Sequence, residues 1–324
     1  MPMPTRMAVQ PPKTAPAMAK PFLPEAIAMP LKCICQLRGM PCPVLEHWHR
    51  LAARIRRARH ILVLLDFDGT LAPLCDRPED AHCADATRDA LRQLGRHCGI
   101  TLAIVSGRRR ADVRQRIGVR GIKYCGLYGW ESRERMNLPT HSQWLLDCAR
   151  SLLAWIPPLP GVRLEDKGAS LALHFRLASA PAIRELRKCI REIVARLGPE
   201  GLHVIAGSKV LELVPPQIRG KGAAVRDIMR GLQPGLLPIY VGDEPSDEAA
   251  FAALPTGITV RVGPARKTAA RYTLRNSKQV TEFLKRLEAL LEETETQQVG
   301  TSTNEGPTNG IQLLRGVPHE SSQP

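Results

Sequence analysis

Two aspartates, Asp66 and Asp68, stand at the end of an unbroken apolar run, Ile61 to Leu65, and are followed at once by Gly69-Thr70. At a spacing of two in an extended chain, both carboxylates leave on the same side. At a separation of about 4 Å such a pair repels by roughly 4 kcal/mol at an effective dielectric near 20. A hard divalent cation such as Mg2+ is the natural compensation. The alternative is a capped strand end leading into a turn, because Asp and Gly are common turn residues.

Further along stand a hydroxyl, an ammonium group and two more acids: Ser106, Lys221, Asp243 and Asp247. Each has an ordinary explanation when taken singly. Ser106 can cap a helix, Lys221 can be a solvated surface lysine, and Asp243 and Asp247 can be turn and cap residues. Together they make a kit for phosphoryl transfer. It holds a carboxylate nucleophile, a proton donor, a hydroxyl and an ammonium group for the phosphoryl oxygens, and acids for a metal.

The elements that must position these groups follow from hydrophobic pattern. Ile61–Leu65 is too short for a free helix and too continuously apolar for a half-exposed strand, so it reads as the central strand of a covered parallel sheet. Ligands of such sheets gather at the carboxyl ends of the strands. Further strands are predicted over 101–105, 123–127, 236–241 and 257–262, with helices between them over 84–97, 108–117, 221–230, 246–254 and 277–291. Alternating βα units of this kind indicate a doubly wound, Rossmann-like α/β core over 61–138 and 216–291.

Between the two core segments, residues 139–215 read differently. A helix over 144–156, a hairpin around Lys167-Gly168, a helix over 181–197 and a hairpin turning at Gly207-Ser208 make a separate α+β cap. Pro215-Pro216 closes it as a short, stiff hinge, so the cap is expected to move as a body. Residues 44–60 predict an amphipathic lead-in helix with a basic face. Residues 1–43 carry ten of the 28 prolines and predict a disordered extension. Residues 292–324 predict a loose tail.

The formal charge is +15, and residues 1–60 supply ten Lys/Arg against two acids, a surplus of 10 − 2 = +8. Such charge attracts anions of many kinds. With only 4% aromatic residues, base-stacking nucleic-acid platforms are disfavoured. None of the nine cysteines makes a CxxC pair, which points to reduced, mostly buried thiols in a cytoplasmic protein. No apolar run approaches the roughly 18 residues needed to span a bilayer.

The segments DFDGT at 66–70, IVSG at 104–107, RGKG at 219–222 and GDEPSDEAAF at 242–251 resemble the haloacid-dehalogenase superfamily of phosphohydrolases. RPEDA at 77–81, EDKGASLALHFR at 165–176, VLELVPPQIRGKG at 210–222 and ARYTLRNSKQVTEFLKRL at 270–287 resemble, within it, the trehalose-6-phosphate phosphatases. The resemblance implies a Mg2+-dependent phosphatase of a disaccharide phosphate, working through an aspartyl-phosphate. It implies that Asp66 attacks phosphorus, that Asp68 is the acid and then the base, and that Ser106 and Lys221 hold the phosphoryl oxygens. Mg2+ would be held by Asp66, the Asp68 carbonyl and Asp243, with Asp247 nearby. Phe67, Gly107 and Arg108 would face the substrate with Asp66 and Asp68. Glu165, Lys167 and Glu212 of the cap would contact the sugar, with His174 and Arg176 as further candidates.

One position departs from that pattern. The family has a histidine in an HG-x-E turn where this chain has Tyr128 before Gly129 and Glu131, a position expected to support the core. The alternatives are a phosphatase of another sugar phosphate, of the sucrose-phosphate or mannosyl-phosphate type, and a catalytically silent homologue that binds sugar phosphate or nucleic acid.

Overall fold

The structure is a computed structural model and describes residues 40–132, 137–230, 235–264 and 267–302. Its main sheet has seven parallel strands in the order β1-β11-β10-β9-β2-β3-β4. The strands are β1 (Cys42–Pro43), β2 (His60–Leu65), β3 (Ile100–Val105), β4 (Lys123–Cys125), β9 (Leu236–Gly242), β10 (Ile258–Val262) and β11 (Tyr272–Leu274). Strand β2 lies in the middle, paired with β9 through Val63–Ile239 and with β3 through Val63–Leu102.

The alternation of side chains along β2 divides the core. Ile61, Val63 and Leu65 pack on one face with Leu91, Leu94, Phe283 and Leu287. Those partners come from α2 (Asp85–Leu94) and α8 (Ser277–Ser302). Leu62 and Leu64 pack on the other face with Val225 and Phe251, from α6 (Lys221–Arg230) and α7 (Glu248–Ala252). Burial on both faces is why the strand reads as a solid apolar run. Asp66 continues the even parity toward the face that carries α6, while Phe67 continues the odd one.

The second unit is a four-stranded antiparallel sheet in the order β5-β6-β8-β7. Its strands are β5 (Arg163–Asp166), β6 (Leu171–His174), β7 (His203–Gly207) and β8 (Val210–Val214). Two helices, α4 (Thr140–Ala154) and α5 (Ala180–Leu197), cover one face and close a separate core of Leu145, Leu146, Leu173, Leu186, Ile190 and Leu213. This unit is the cap, and both predicted hairpins are present in it.

Several expectations need correction. The lead-in helix, α1 (Trp48–Arg56), is shorter than predicted because the chain before it runs along the sheet edge. Cys42 N–H and Val44 N–H bond the carbonyls of Arg271 and Thr273. Cys42 and Pro43 are thus ordered strand and not part of a loose extension. The α1 helix packs on the core, with Trp48 edge-on to Phe283. Strand β11 was not anticipated, since only three residues between Arg271 and Arg275 form it. The closing helix, expected to end at 291, continues to Ser302. The expected disorder of 1–39 and 303–324 lies outside the described residues. Among the described residues Cys42, Cys83 and Cys125 are buried, while Cys75, Cys98, Cys148 and Cys189 are not. No helix is long and apolar enough to cross a membrane among the described residues.

Candidate active site

At the carboxyl end of β2, Asp66 is 2% exposed and bonds the β9 carbonyl of Val241 through its own N–H. Lys221 opens α6 directly above it. Its Nζ lies 2.8 Å from Asp66 Oδ2 and 2.9 Å from Asp247 Oδ1. At 1% exposure Lys221 is no solvated surface lysine. Burial alone would favour its neutral amine, but the carboxylates of Asp247 and Asp66 outweigh that and raise its pKa. Asp247 is saturated. Its Oδ1 also accepts from Tyr240 OH at 2.7 Å, and its Oδ2 accepts from the Glu244 N–H at 2.8 Å. Asp247 thus caps the short turn before α7, as the simpler reading had it, and also anchors Lys221.

Asp243 follows β9 and approaches the turn after Asp68. Gly69 sits at φ +74°, and a Cβ there would lie 2.1 Å from Asp243 Oδ2. Glycine therefore serves both the left-handed turn and the close approach of the acid. Thr70 Oγ1 donates to Asp243 Oδ1 at 3.2 Å.

Oxygens of Asp66, Asp243 and Asp247 lie within 4.8 Å of one another. The ion pair of Asp66 Oδ2 with Lys221 falls outside hydrogen-bond geometry, which leaves this buried oxygen without a donor. Burial pushes the carboxyls of Asp66 and Asp243 well above the usual range, and neighbouring acids push Asp243 further. An all-oxygen acidic cluster with a buried oxygen that accepts no hydrogen bond fits a hard divalent cation. Asp66 and Asp243 are its open ligands, because Asp247 is committed to Lys221 and Tyr240.

Asp68 is held differently. Arg108 Nε and Nη2 donate to its two oxygens, each at 2.7 Å. The same guanidinium bonds Asp112 Oδ2 at 2.8 Å and the Pro78 carbonyl at 2.7 Å, and lies over the Phe67 ring. Arg108, expected to face the substrate, is thus committed to Asp68 while also lining the cavity. Phe67 does not enter the cavity: its side chain is fully buried in the core, as its odd parity on β2 requires. Ser106 lies two residues before Arg108, is 1% exposed and accepts the Arg108 N–H at 3.2 Å. It is not a helix cap, since α3 (Arg110–Ile117) starts later.

A chamber of about 100 Å³ is walled by Asp66, Asp68, Ser106 and Gly107 on the core side and by Glu165, Lys167 and Glu212 on the cap side. His174 and Arg176 also form its wall and continue into a wider cleft of about 540 Å³ between the loop at 76–80 and the cap. Lys221, Asp243 and Asp247 do not line the chamber. Lys221, expected to hold phosphoryl oxygens, forms an ion pair with Asp66.

The three cap residues are not loose side chains awaiting a ligand. Glu165 accepts from His174 Nε2 at 2.7 Å, and that bond holds its carboxyl down at about 2. Glu212, 1% exposed, accepts from Ser170 Oγ at 2.5 Å, Tyr128 OH at 2.8 Å and Lys167 Nζ at 3.0 Å. Lys167 Nζ also donates to the Gly107 carbonyl at 2.9 Å. Tyr128 was expected only to support the core, but it lines the chamber and joins core to cap. Its backbone is left-handed at φ 58°, ψ 29°, a strain of roughly 1–2 kcal/mol for a non-glycine residue. The replaced histidine was the one sequence signal that could have singled it out. Glu244, a further missed residue, reaches the cap as well, where Ser208 N–H donates to its Oε1 at 3.3 Å.

The family described as Trehalose-phosphatase matches residues 64–278. The chain belongs to the trehalose-phosphatase family. It is 34% identical over 263 residues to a trehalose-phosphate phosphatase of Mycobacterium leprae, covering 74% of this chain. The chain spans about 60% of the length of that curated relative. Among solved structures, the C-terminal domain of trehalose-6-phosphate phosphatase from C. albicans superposes with a TM-score of 0.66 at 25% identity, over 77% of this chain and 99% of that one. A haloacid dehalogenase-like hydrolase from Bacteroides thetaiotaomicron shares the fold, with a TM-score of 0.50 at 21% identity over 70% of this chain and 99% of that one. The trehalose-phosphatase family thus combines in this chain a Rossmann-like core with an inserted α+β cap.

Proposed function

We propose that this chain is a Mg2+-dependent phosphatase that hydrolyses trehalose 6-phosphate to trehalose and phosphate through an aspartyl-phosphate. The observation that carries the reading is one chamber in which Asp66, the Ser106 hydroxyl and the cap residues Glu165, Lys167 and Glu212 face each other, in a chain of the trehalose-phosphatase family. The small chamber suits a phosphoryl group, and the charged cleft beyond His174 and Arg176 suits a hydroxyl-rich remainder.

Asp66 Oδ attacks phosphorus as the bond from phosphorus to the sugar oxygen breaks, and Asp68 delivers a proton to that oxygen. Water then attacks the aspartyl-phosphate, giving its proton to Asp68, and the Asp66–phosphorus bond breaks to release phosphate. Lys221 and Asp247 hold Asp66 in line. A carboxylate that accepts from two guanidinium nitrogens has no proton to give, so Asp68 must part from Arg108 to act as the acid. Asp66 and Asp243 would hold Mg2+, which when bound offsets the repulsion between the Asp66 carboxylate and the phosphoryl group. The free thiols of Cys75, Cys83, Cys98, Cys125, Cys148 and Cys189 are compatible with a cytoplasmic setting.

The test is phosphate release from trehalose 6-phosphate beside a panel of hexose and disaccharide phosphates, with Mg2+ and after chelation. The wild type should prefer trehalose 6-phosphate and lose activity on chelation, and Asp66→Asn should lose several orders of magnitude. Preference for another sugar phosphate would overturn the substrate, and turnover by Asp66→Asn would overturn the covalent route.

A further inference from the structure

The buried contact between cap and core is built around Tyr128. Tyr128 sits in a turn fastened to the segment that follows β3. Its N–H bonds the Ser106 carbonyl at 2.8 Å, and the Leu127 N–H bonds the Arg108 carbonyl at 2.8 Å. Those bonds hold both residues at positive φ, where bulky side chains rarely sit, so the direction of the phenol is set by the backbone. The ring crosses Gly107 so closely that a Cβ there would meet Tyr128 Cζ and OH at 3.0 Å. Core and cap then close a circuit. Tyr128 OH donates to Glu212 Oε2, Lys167 Nζ donates to the same oxygen, and Lys167 Nζ returns to the carbonyl of Gly107, under the ring.

We propose that Tyr128 is a positioning residue for sugar recognition: its hydroxyl fixes Glu212, and through it Lys167, in the place from which the cap reads the substrate. The proposal rests on the sugar-phosphate reading above. The outer bridge between cap and core, Arg163 to Glu79 at 2.6 Å, joins two exposed side chains and contributes little. The buried circuit is different. Glu212 is a buried carboxylate whose donors come from both units, and losing one leaves it under-satisfied. An imidazole has no para-hydroxyl and reaches less far than a phenol, so a histidine here would not make the same bond. In this chain one hydroxyl of the core therefore holds Glu212 of the cap directly.

The experiment compares the wild-type protein with Tyr128→Phe and Tyr128→His. Phe keeps the ring over Gly107 and removes only the hydroxyl. Kinetics are measured with trehalose 6-phosphate and with p-nitrophenyl phosphate, which has no sugar for the cap to read. Amide hydrogen exchange of β6, β8 and the Lys167 turn is measured on the same proteins. For Tyr128→Phe, kcat/KM on trehalose 6-phosphate should fall about tenfold, mainly through KM. The aryl phosphate should lose far less, exchange at Leu211–Leu213 should quicken, and Tyr128→His should behave like Phe. Equal loss on both substrates, or unchanged KM with unchanged exchange, would overturn the proposal. If the wild type does not hydrolyse trehalose 6-phosphate, the functional reading fails, and unchanged exchange in Tyr128→Phe would then overturn the role of the hydroxyl as well.

Discussion

The guanidinium of Arg108 grips both oxygens of Asp68, at 2.7 Å each, and is itself fixed by Asp112 and the Pro78 carbonyl. In the ionised form, which takes the proton from water, the residue assigned the proton transfers is thereby held in one orientation by a planar fork. A lysine cannot reproduce two parallel bonds from one side chain. Arg108→Lys should lower kcat about ten- to a hundred-fold with trehalose 6-phosphate and with an aryl phosphate alike, because Asp68 serves both. Steady-state kinetics check this. A change confined to KM would show that Arg108 binds substrate and does not position Asp68.

The acidic cluster makes a prediction that needs no turnover. Mg2+ should raise the melting temperature of the wild type by mass action, by about 2.7 kcal/mol of stability at a hundred times Kd. Asp243→Asn should abolish that rise. Without Mg2+ the variant should be at least as stable as the wild type, since burial and the neighbouring Glu244 and Asp247 all disfavour the charged Asp243. Thermal melts with Mg2+ and with chelator decide both points, and a Mg2+-dependent rise that survives in Asp243→Asn would remove Asp243 from the ligand set.

Gly69→Ala should injure stability and metal binding together. The new methyl would lie 2.1 Å from Asp243 Oδ2, and the backbone is at φ +74°. A cost of about 1–3 kcal/mol is expected from the strained backbone, with more from the displaced acid. Denaturant unfolding gives the first, and the Mg2+-dependent thermal shift gives the second. Wild-type values for both would show that Asp243 can move freely.

The cap carries a pH-sensitive position in His203 on β7. Partial burial lowers its pKa, against a hydrogen bond to the Ile218 backbone that raises it. As pH falls, the unfolded chain takes up this proton first, near roughly 6.5, so folding loses stability from there down through the lower folded value. His203→Gln should therefore show a shallower loss of melting temperature than the wild type between about pH 8 and about pH 5. Identical slopes would mean that His203 titrates alike in both states.

Local signals in the sequence determined the elements and the chemistry. The apolar run before Asp66, the alternation along it, the hairpin turns at Lys167-Gly168 and Gly207-Ser208, and the acids at strand ends all depend on neighbours a few residues apart, and the structure keeps them. Where sequence reading stopped short, a distant partner decided. Tyr128 and Glu212 are 84 residues apart, and Arg108 and Asp68 are 40 apart. Whether Arg108 meets a substrate or a carboxylate depends on how β2 and β3 bring their ends together. Cys42–Pro43 and Tyr272–Leu274 are too short to show a period, and they become strands only through pairing, the first with Tyr272–Leu274 at the sheet edge and the second with Ile258–Val262 as well. The RGKG motif singles out Lys221 in the sequence, but not its surroundings. Only the packing of α6 over β2 removes it from water, and a buried ammonium must then find the carboxylates of Asp66 and Asp247.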